Sequence, residues 1–131
     1  MSEDKLDDEA RALKARFREV RGYWSPFWDS LLALSPEFFD AYLTLSSVPW
    51  THGVLEPKVK EFIYIAIDAA TTHLYLPGLR IHMRNALAHG ATRDEIFEVL
   101  MLVSAIGIHA CNEGVPMLVE EVERAAMQGA G

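Results

Sequence analysis

Apolar residues recur at three- and four-residue intervals through most of the chain, and helix-stop signals separate the stretches that carry them. The clearest stretch runs from Gly78 to Gly107. Leu79, Met83, Ala86 and Leu87 form a stripe at helical spacing, with His82 beside it and His89 further along the same side. Gly90 follows the last periodic residue, where a helix end favours positive φ. Thr92-Arg93-Asp94-Glu95 then has capping-box spacing. The Thr92 hydroxyl can accept from the amide of Glu95, and the Glu95 carboxylate can accept from the amide of Thr92. From Ile96 to Ile108 nearly every residue is apolar, which predicts a helix covered on most sides.

The remaining pattern is also helical. Residues 4 to 21 alternate charges around Leu6, Ala10, Leu13 and Phe17, a surface or subunit-bridging helix that Gly22 ends. Ser25-Pro26 and Ser35-Pro36 each read as an N-cap followed by proline at the first helical position. The aromatics of Tyr23 to Trp28 suit core packing better than a pocket. The second cap opens a helix to about Ser46, and Pro49, Gly53 and Pro57 predict a loop over Val48 to Glu56. Trp50 and His52 in that loop are either pocket-rim residues or exposed ones. Pro57 opens a further helix whose predicted apolar face is Val59, Phe62, Ile63, Ala66, Ile67 and Ala70. Its length and lack of period-two alternation decide against a strand. Glu61 and Asp68 lie two turns apart on one edge, and a carboxylate inside so apolar a run has to be hydrogen-bonded or carry a raised pKa. Thr71 to Pro77, with His73 and Tyr75, breaks this helix. After Gly107 a bend near Gly114 and Pro116 precedes a last amphipathic helix. The pattern predicts six or seven helices and no strand, an all-α fold.

At 131 residues the chain is expected to be one domain, and its net charge of −7 argues against nucleic acid, which needs clustered Lys and Arg. The acidic residues crowd at Glu3 to Glu9 and Glu120 to Glu123, as solvated helix ends do. No apolar leader is visible, and the longest apolar run, Ile96 to Ala110, is too short for a bilayer, so a cytoplasmic protein without membrane contact is expected. The single cysteine, Cys111, cannot form an internal disulfide and is expected to pack as a small buried hydrophobe. Histidine is frequent enough to raise a metal site. His82 and His89, however, stand about 10 Å apart along a helix axis, no His-x-x-x-His pair is present, and no metal is expected.

In order along the chain come Lys60-Glu61, an apolar helix, His82, Ala86, Gly90, Thr92-x-x-Glu95-Ile96, and a later Gly107 and Asn112. This arrangement resembles the carboxymuconolactone decarboxylase family, whose relatives include the alkylhydroperoxidase D-like proteins. The resemblance implies a six- to seven-helix orthogonal bundle, with a family core at about 55–120 in a single domain over 1–131 and N-terminal helices over 1–54. The peroxidase-type relatives carry a Cys-x-x-Cys pair ahead of the histidine, and the matching positions here are Tyr75 and Gly78. Neither forms a thiolate, which disfavours thiol peroxidase chemistry. The decarboxylase branch implies a cofactor-free lyase acting on a small carboxylated lactone or an acid of aromatic-compound catabolism. In that reading His82 donates a proton to carbon, because its pKa lies near working pH, and Glu61 orients or recharges it. Substrate-binding candidates are Arg80, with Arg84 as its alternative for clamping a carboxylate, and Tyr75, Asp68, His109 and Trp50. Glu61 stands slightly further before His82 than the family pattern has it, which enlarges the loop at Thr71 to Pro77 and could shift the pair apart. The resemblance implies a homotrimer or homohexamer. A non-catalytic ligand-binding or scaffold oligomer on the same fold is the main alternative, and His82 could equally be a hydrogen-bonded core histidine. A member that borrows another protein's thiols is the third reading.

Overall fold

A computed structural model describes residues 7–129. Among the described residues the secondary structure is entirely helical: seven α-helices and one short 3-10 turn, with no strand. They group into two compact units, one ending at Leu55 and the other beginning at Glu56.

The first unit begins with α1 (Asp8–Arg21), which Asp7 caps by accepting from the Ala10 amide at 2.8 Å. Gly22 ends it in the left-handed region at φ 78°, where its N–H donates to the Arg18 carbonyl at 2.8 Å. Leu6 lies outside the described residues. Ala10, Leu13 and Phe17 are buried, and Phe17 meets Tyr23 and Trp24 edge-on, at 5.4 and 5.3 Å between ring centroids. Tyr23, Trp24 and Trp28 thus pack against the Phe17, Leu32, Phe39 and Leu43 core, while Phe27 is exposed. Ser25 caps the 3-10 turn Pro26–Trp28, which leads into α2 (Asp29–Leu34). Ser35 accepts from the Phe38 amide and opens α3 (Pro36–His52).

α3 shortens the predicted loop over Val48 to Glu56: Val48 to His52 are helical, and the irregular stretch is residues 53–56. Pro49 removes one N–H donor, but it stands within a turn of the helix end, so helical φ continues to His52 with one bond lost. The Thr51 hydroxyl donates back to the Ser47 carbonyl at 3.1 Å in this last turn. Trp50 and His52 are helix residues rather than loop residues.

In the second unit α4 (Pro57–Ala69), α5 (Leu76–Ala88) and α6 (Arg93–Val103) pack around Ile65, Ala86, Ala91 and Ile96. The buried positions of α4 are Lys60, Glu61, Ile65 and Asp68, and from Glu61 onward they follow helical spacing. Ile63 and Ile67, which the apolar pattern assigns to the core, are exposed. The helix therefore turns its two carboxylates inward and part of its apolar stripe outward. Similarly α6 buries only Ile96, while Phe97, Met101 and Leu102 are exposed. After Gly107 at φ 100°, α7 (Ile108–Gly129) runs unbroken through Gly114 and Pro116. No bend forms there, and the carbonyl that Pro116 leaves without a donor is open to water on this exposed helix. None of the α7 residues is buried, and Cys111 is exposed rather than packed. No helix among the described residues is long and apolar enough to cross a membrane.

The turn into α6 has the capping box expected of Thr92-x-x-Glu95: the Glu95 amide donates to Thr92 Oγ1 at 3.1 Å, and the Thr92 amide to Glu95 Oε2 at 2.9 Å. Lys58 Nζ, 3.1 Å from Glu95 Oε1, ties this turn to α4. The Thr92 amide first, and then Lys58, hold the Glu95 carboxyl below the usual carboxylate range. A depressed pKa adds stability above the unfolded value that is lost as pH falls through the folded one. Thr92→Ala is expected to lower stability by about 1 kcal/mol in urea unfolding at neutral pH, whereas Glu95→Gln is expected to remove part of the stability that the wild type loses in acid.

Candidate active site

The inward face of α4 sets the site. Glu61 and Asp68 are seven residues apart, so both carboxylates face the same neighbour, α5. His82 projects from the buried side of α5 into the space between them. Its Nδ1 lies 2.6 Å from Glu61 Oε2, and Glu61 is 1% exposed. An ionised carboxylate can only accept, so with Glu61 charged the proton sits on Nδ1 and Nε2 is left as the exchanging nitrogen. Nε2 faces Asp68 Oδ2 at 3.8 Å, beyond direct hydrogen-bond reach. Tyr64, three residues after Glu61 on α4, stacks on the imidazole at 4.6 Å between centroids and 15° between planes. One face and one nitrogen of the ring are thus fixed by α4.

The turn joining α4 to α5 completes the arrangement. The Tyr75 amide donates to the Asp68 carbonyl at 2.8 Å, and the His73 amide to the Ala70 carbonyl at 2.9 Å. Between them Leu74 adopts φ 43°, a left-handed conformation that a leucine reaches at a cost of about 1 kcal/mol or more. This turn brings His73 back over α4, where its Nε2 lies 3.1 Å from Asp68 Oδ1. It also absorbs the longer Glu61–His82 spacing, so the pair stays in contact. Gly78 closes the site from α5. A Cβ there would lie 2.3 Å from Asp68 Oδ2 and 2.5 Å from the Tyr75 ring. Asp68 and Tyr75 therefore occupy the space that a cysteine side chain at position 78 would need.

Of the residues singled out in the sequence, the structure brings Glu61, His82, Asp68 and Tyr75 together. Arg80 and Arg84 are exposed on α5. Each is two residues from His82, about 200° around the helix at 3.6 residues per turn, so neither shares its face. His109 is exposed on α7. Trp50 belongs to the first unit, where the Arg21 guanidinium lies 5.1 Å over its ring. Tyr64 and Gly78 join the site without having been chosen from the sequence, and His73, read there as part of a helix break, joins it as a partner of Asp68. The i, i+3 spacing of Glu61 and Tyr64 was the available signal for Tyr64. Among the described residues no group of three or more His, Cys, Asp or Glu side chains is arranged to hold a metal.

The site is thus a buried histidine held by a glutamate of the preceding helix, on an all-helical scaffold without a cysteine pair. The sequence profile of the carboxymuconolactone decarboxylase family matches residues 36–115, and the chain belongs to that family. A crystal structure from Burkholderia xenovorans LB400, provisionally named a gamma-carboxymuconolactone decarboxylase subunit, is similar at TM-score 0.85 and 52% identity. The match covers 92% of this chain and 48% of the Burkholderia chain, so this chain spans about half the length of that neighbour. No curated protein matches the chain.

Tyr75 reports on the site. Burial first, and the Asp68 carboxylate second, push its phenol above the ordinary tyrosine value. In an ultraviolet titration of ionising tyrosines, Asp68→Asn is expected to lower the late-titrating phenol toward the ordinary range. Tyr75→Phe is expected to remove that phase altogether.

Proposed function

We propose that this protein is a cofactor-free lyase of the decarboxylase type acting on a small carboxylated lactone or a related acid, with His82 as proton donor. The family and the name of the Burkholderia neighbour support a decarboxylase-like activity. The observation that carries the reading is the buried Glu61–His82 pair at 2.6 Å. Loss of CO2 from the substrate carboxylate leaves its electron pair delocalised into the unsaturated lactone as an enolate. His82 Nε2–H then protonates carbon, and the neutral ring must regain a proton before the next turnover. Glu61 holds the tautomer and stabilises the charged ring, a role a buried carboxylate fills well because its geometry is fixed before reaction. Tyr64 holds the ring plane. The exposed positions of Arg80 and Arg84 leave the residue that binds the substrate carboxylate unassigned on this face.

A homo-oligomer, trimer or hexamer, belongs to the same reading. Val115, Leu118 and Val122 of α7 and Phe97, Met101 and Leu102 of α6 are exposed, large apolar side chains that a subunit contact would cover. Neither a metal nor an organic cofactor enters the scheme.

His82→Ala is expected to abolish CO2 release from γ-carboxymuconolactone while the helical circular dichroism and oligomer size persist with a lowered melting temperature, because Glu61 loses its buried partner. Glu61→Gln is expected to lower kcat by roughly 10²-fold, the range of one general acid-base contribution, with a smaller effect on KM. If His82→Ala keeps its turnover, the proton-donor assignment fails. In sedimentation or light scattering, Leu118→Glu is expected to reduce the assembled mass; an unchanged mass would remove α7 from the subunit contact.

A further inference from the structure

As a proton donor, His82 must recover its proton inside a buried site. The residue is buried, Tyr64 stacks on its face, and Nδ1 is committed to Glu61. The other nitrogen, Nε2, faces Asp68 Oδ2 at 3.8 Å. Asp68 is itself buried, yet its second oxygen contacts His73 Nε2 at 3.1 Å, and the His73 side chain is 55% exposed. The carboxylate therefore bridges an enclosed imidazole and one that meets solvent.

We propose that Asp68 and His73 form a proton path from solvent to Nε2 of His82, with Asp68 as the relay and His73 as its surface end. The proposal rests on His82 acting as proton donor. Three features of the fold build the path. The left-handed Leu74 turns the chain so that His73 folds back over α4. The Tyr75 amide fixes the Asp68 backbone. Gly78 leaves the room that Asp68 Oδ2 occupies, since a Cβ would overlap it. A histidine serving only to neutralise Asp68 would not need the carboxylate to reach His82 as well.

The steps balance as follows. After His82 Nε2–H has protonated the substrate carbon, a protonated Asp68 delivers its proton from Oδ2 to Nε2, with a small rotation to close the gap. The Asp68 carboxylate then takes a proton on Oδ1 from His73 Nε2–H. His73 recovers one at its other nitrogen from water or a buffer acid, and a half-turn of the Asp68 carboxyl, with water-mediated return of the exposed His73 ring to its Nε2–H tautomer, resets the relay. The net transfer is one proton from solvent to carbon for each CO2 released. The titratable groups facing this path are Glu61, Tyr64 and Tyr75.

His73 is exposed, so His73→Gln should fold, and it tests the path without disturbing the core. In weakly buffered solution its kcat for γ-carboxymuconolactone is expected to fall roughly tenfold with KM unchanged, and added imidazole is expected to restore it, as a diffusible donor replaces the missing one. A second measurement needs no substrate. Exchange broadening of the His82 ring signals in 15N-histidine-labelled protein is expected to show slower proton exchange in His73→Gln and in Asp68→Asn, with recovery by imidazole in the first. Turnover and exchange both equal to wild type in His73→Gln would overturn the relay, as would a loss that imidazole does not relieve. If the wild type lacks turnover while ring exchange still depends on His73, the lactone reading falls and the relay stands.

Discussion

The structure depends on α4 turning its polar edge inward. Burying Glu61 and Asp68 costs several kcal/mol of lost hydration per charge unless partners replace the water. His82 on the facing helix partners the first, and His73, brought back by the turn, partners the second. Remove the imidazole and Glu61 is left facing an apolar interior, while Asp68 keeps His73. This constraint fixes the register of α5 against α4, because only one rotation of α5 puts His82 between the two acids. It also explains the unusual local choices nearby: a leucine at positive φ and a glycine inside the first turn of α5.

The same inward turn has a consequence on the other side of the helix. With Glu61, Ile65 and Asp68 inside, Ile63 and Ile67 face outward, and α6 and α7 add further exposed apolar side chains. An arrangement that buries two carboxylates in the second unit thus leaves apolar side chains exposed. Association with further copies is the economical way to cover it, in keeping with the proposed oligomer.

Much of the helical framework is legible in the sequence because it is written in local terms. The Ser35 cap, the Thr92–Glu95 box and the left-handed Gly22 and Gly90 depend on neighbours within four residues, and each stands as the pattern predicts. Non-local choices are harder to see. Proline at position 49 reads as a break, but its effect depends on how much helix remains after it, and only one turn does. Gly114 and Pro116 likewise fail to interrupt α7. The stripe of Ile63 and Ile67 misleads because helical periodicity reports that a face is apolar, not what covers it. In the site, Glu61 and His82 follow from the family pattern and Asp68 from its oddity in an apolar run. The bond between Asp68 and His73 arises from the path of a turn, which residue spacing does not encode. Arg80 looked suitable by charge, yet two residues along a helix carries a side chain to the far side.

The account rests on His82 holding its Nδ1 proton against Glu61 and exchanging the one on Nε2. The direct measurement is the tautomeric state of that ring, from 15N–1H correlation spectra of histidine side chains assigned with His82→Gln. The expected result is a strongly deshielded Nδ1 proton that disappears in Glu61→Gln, with Nε2 the nitrogen that gains and loses its proton as pH changes. A ring protonated only on Nε2, with Nδ1 bare and indifferent to the loss of Glu61, would contradict it.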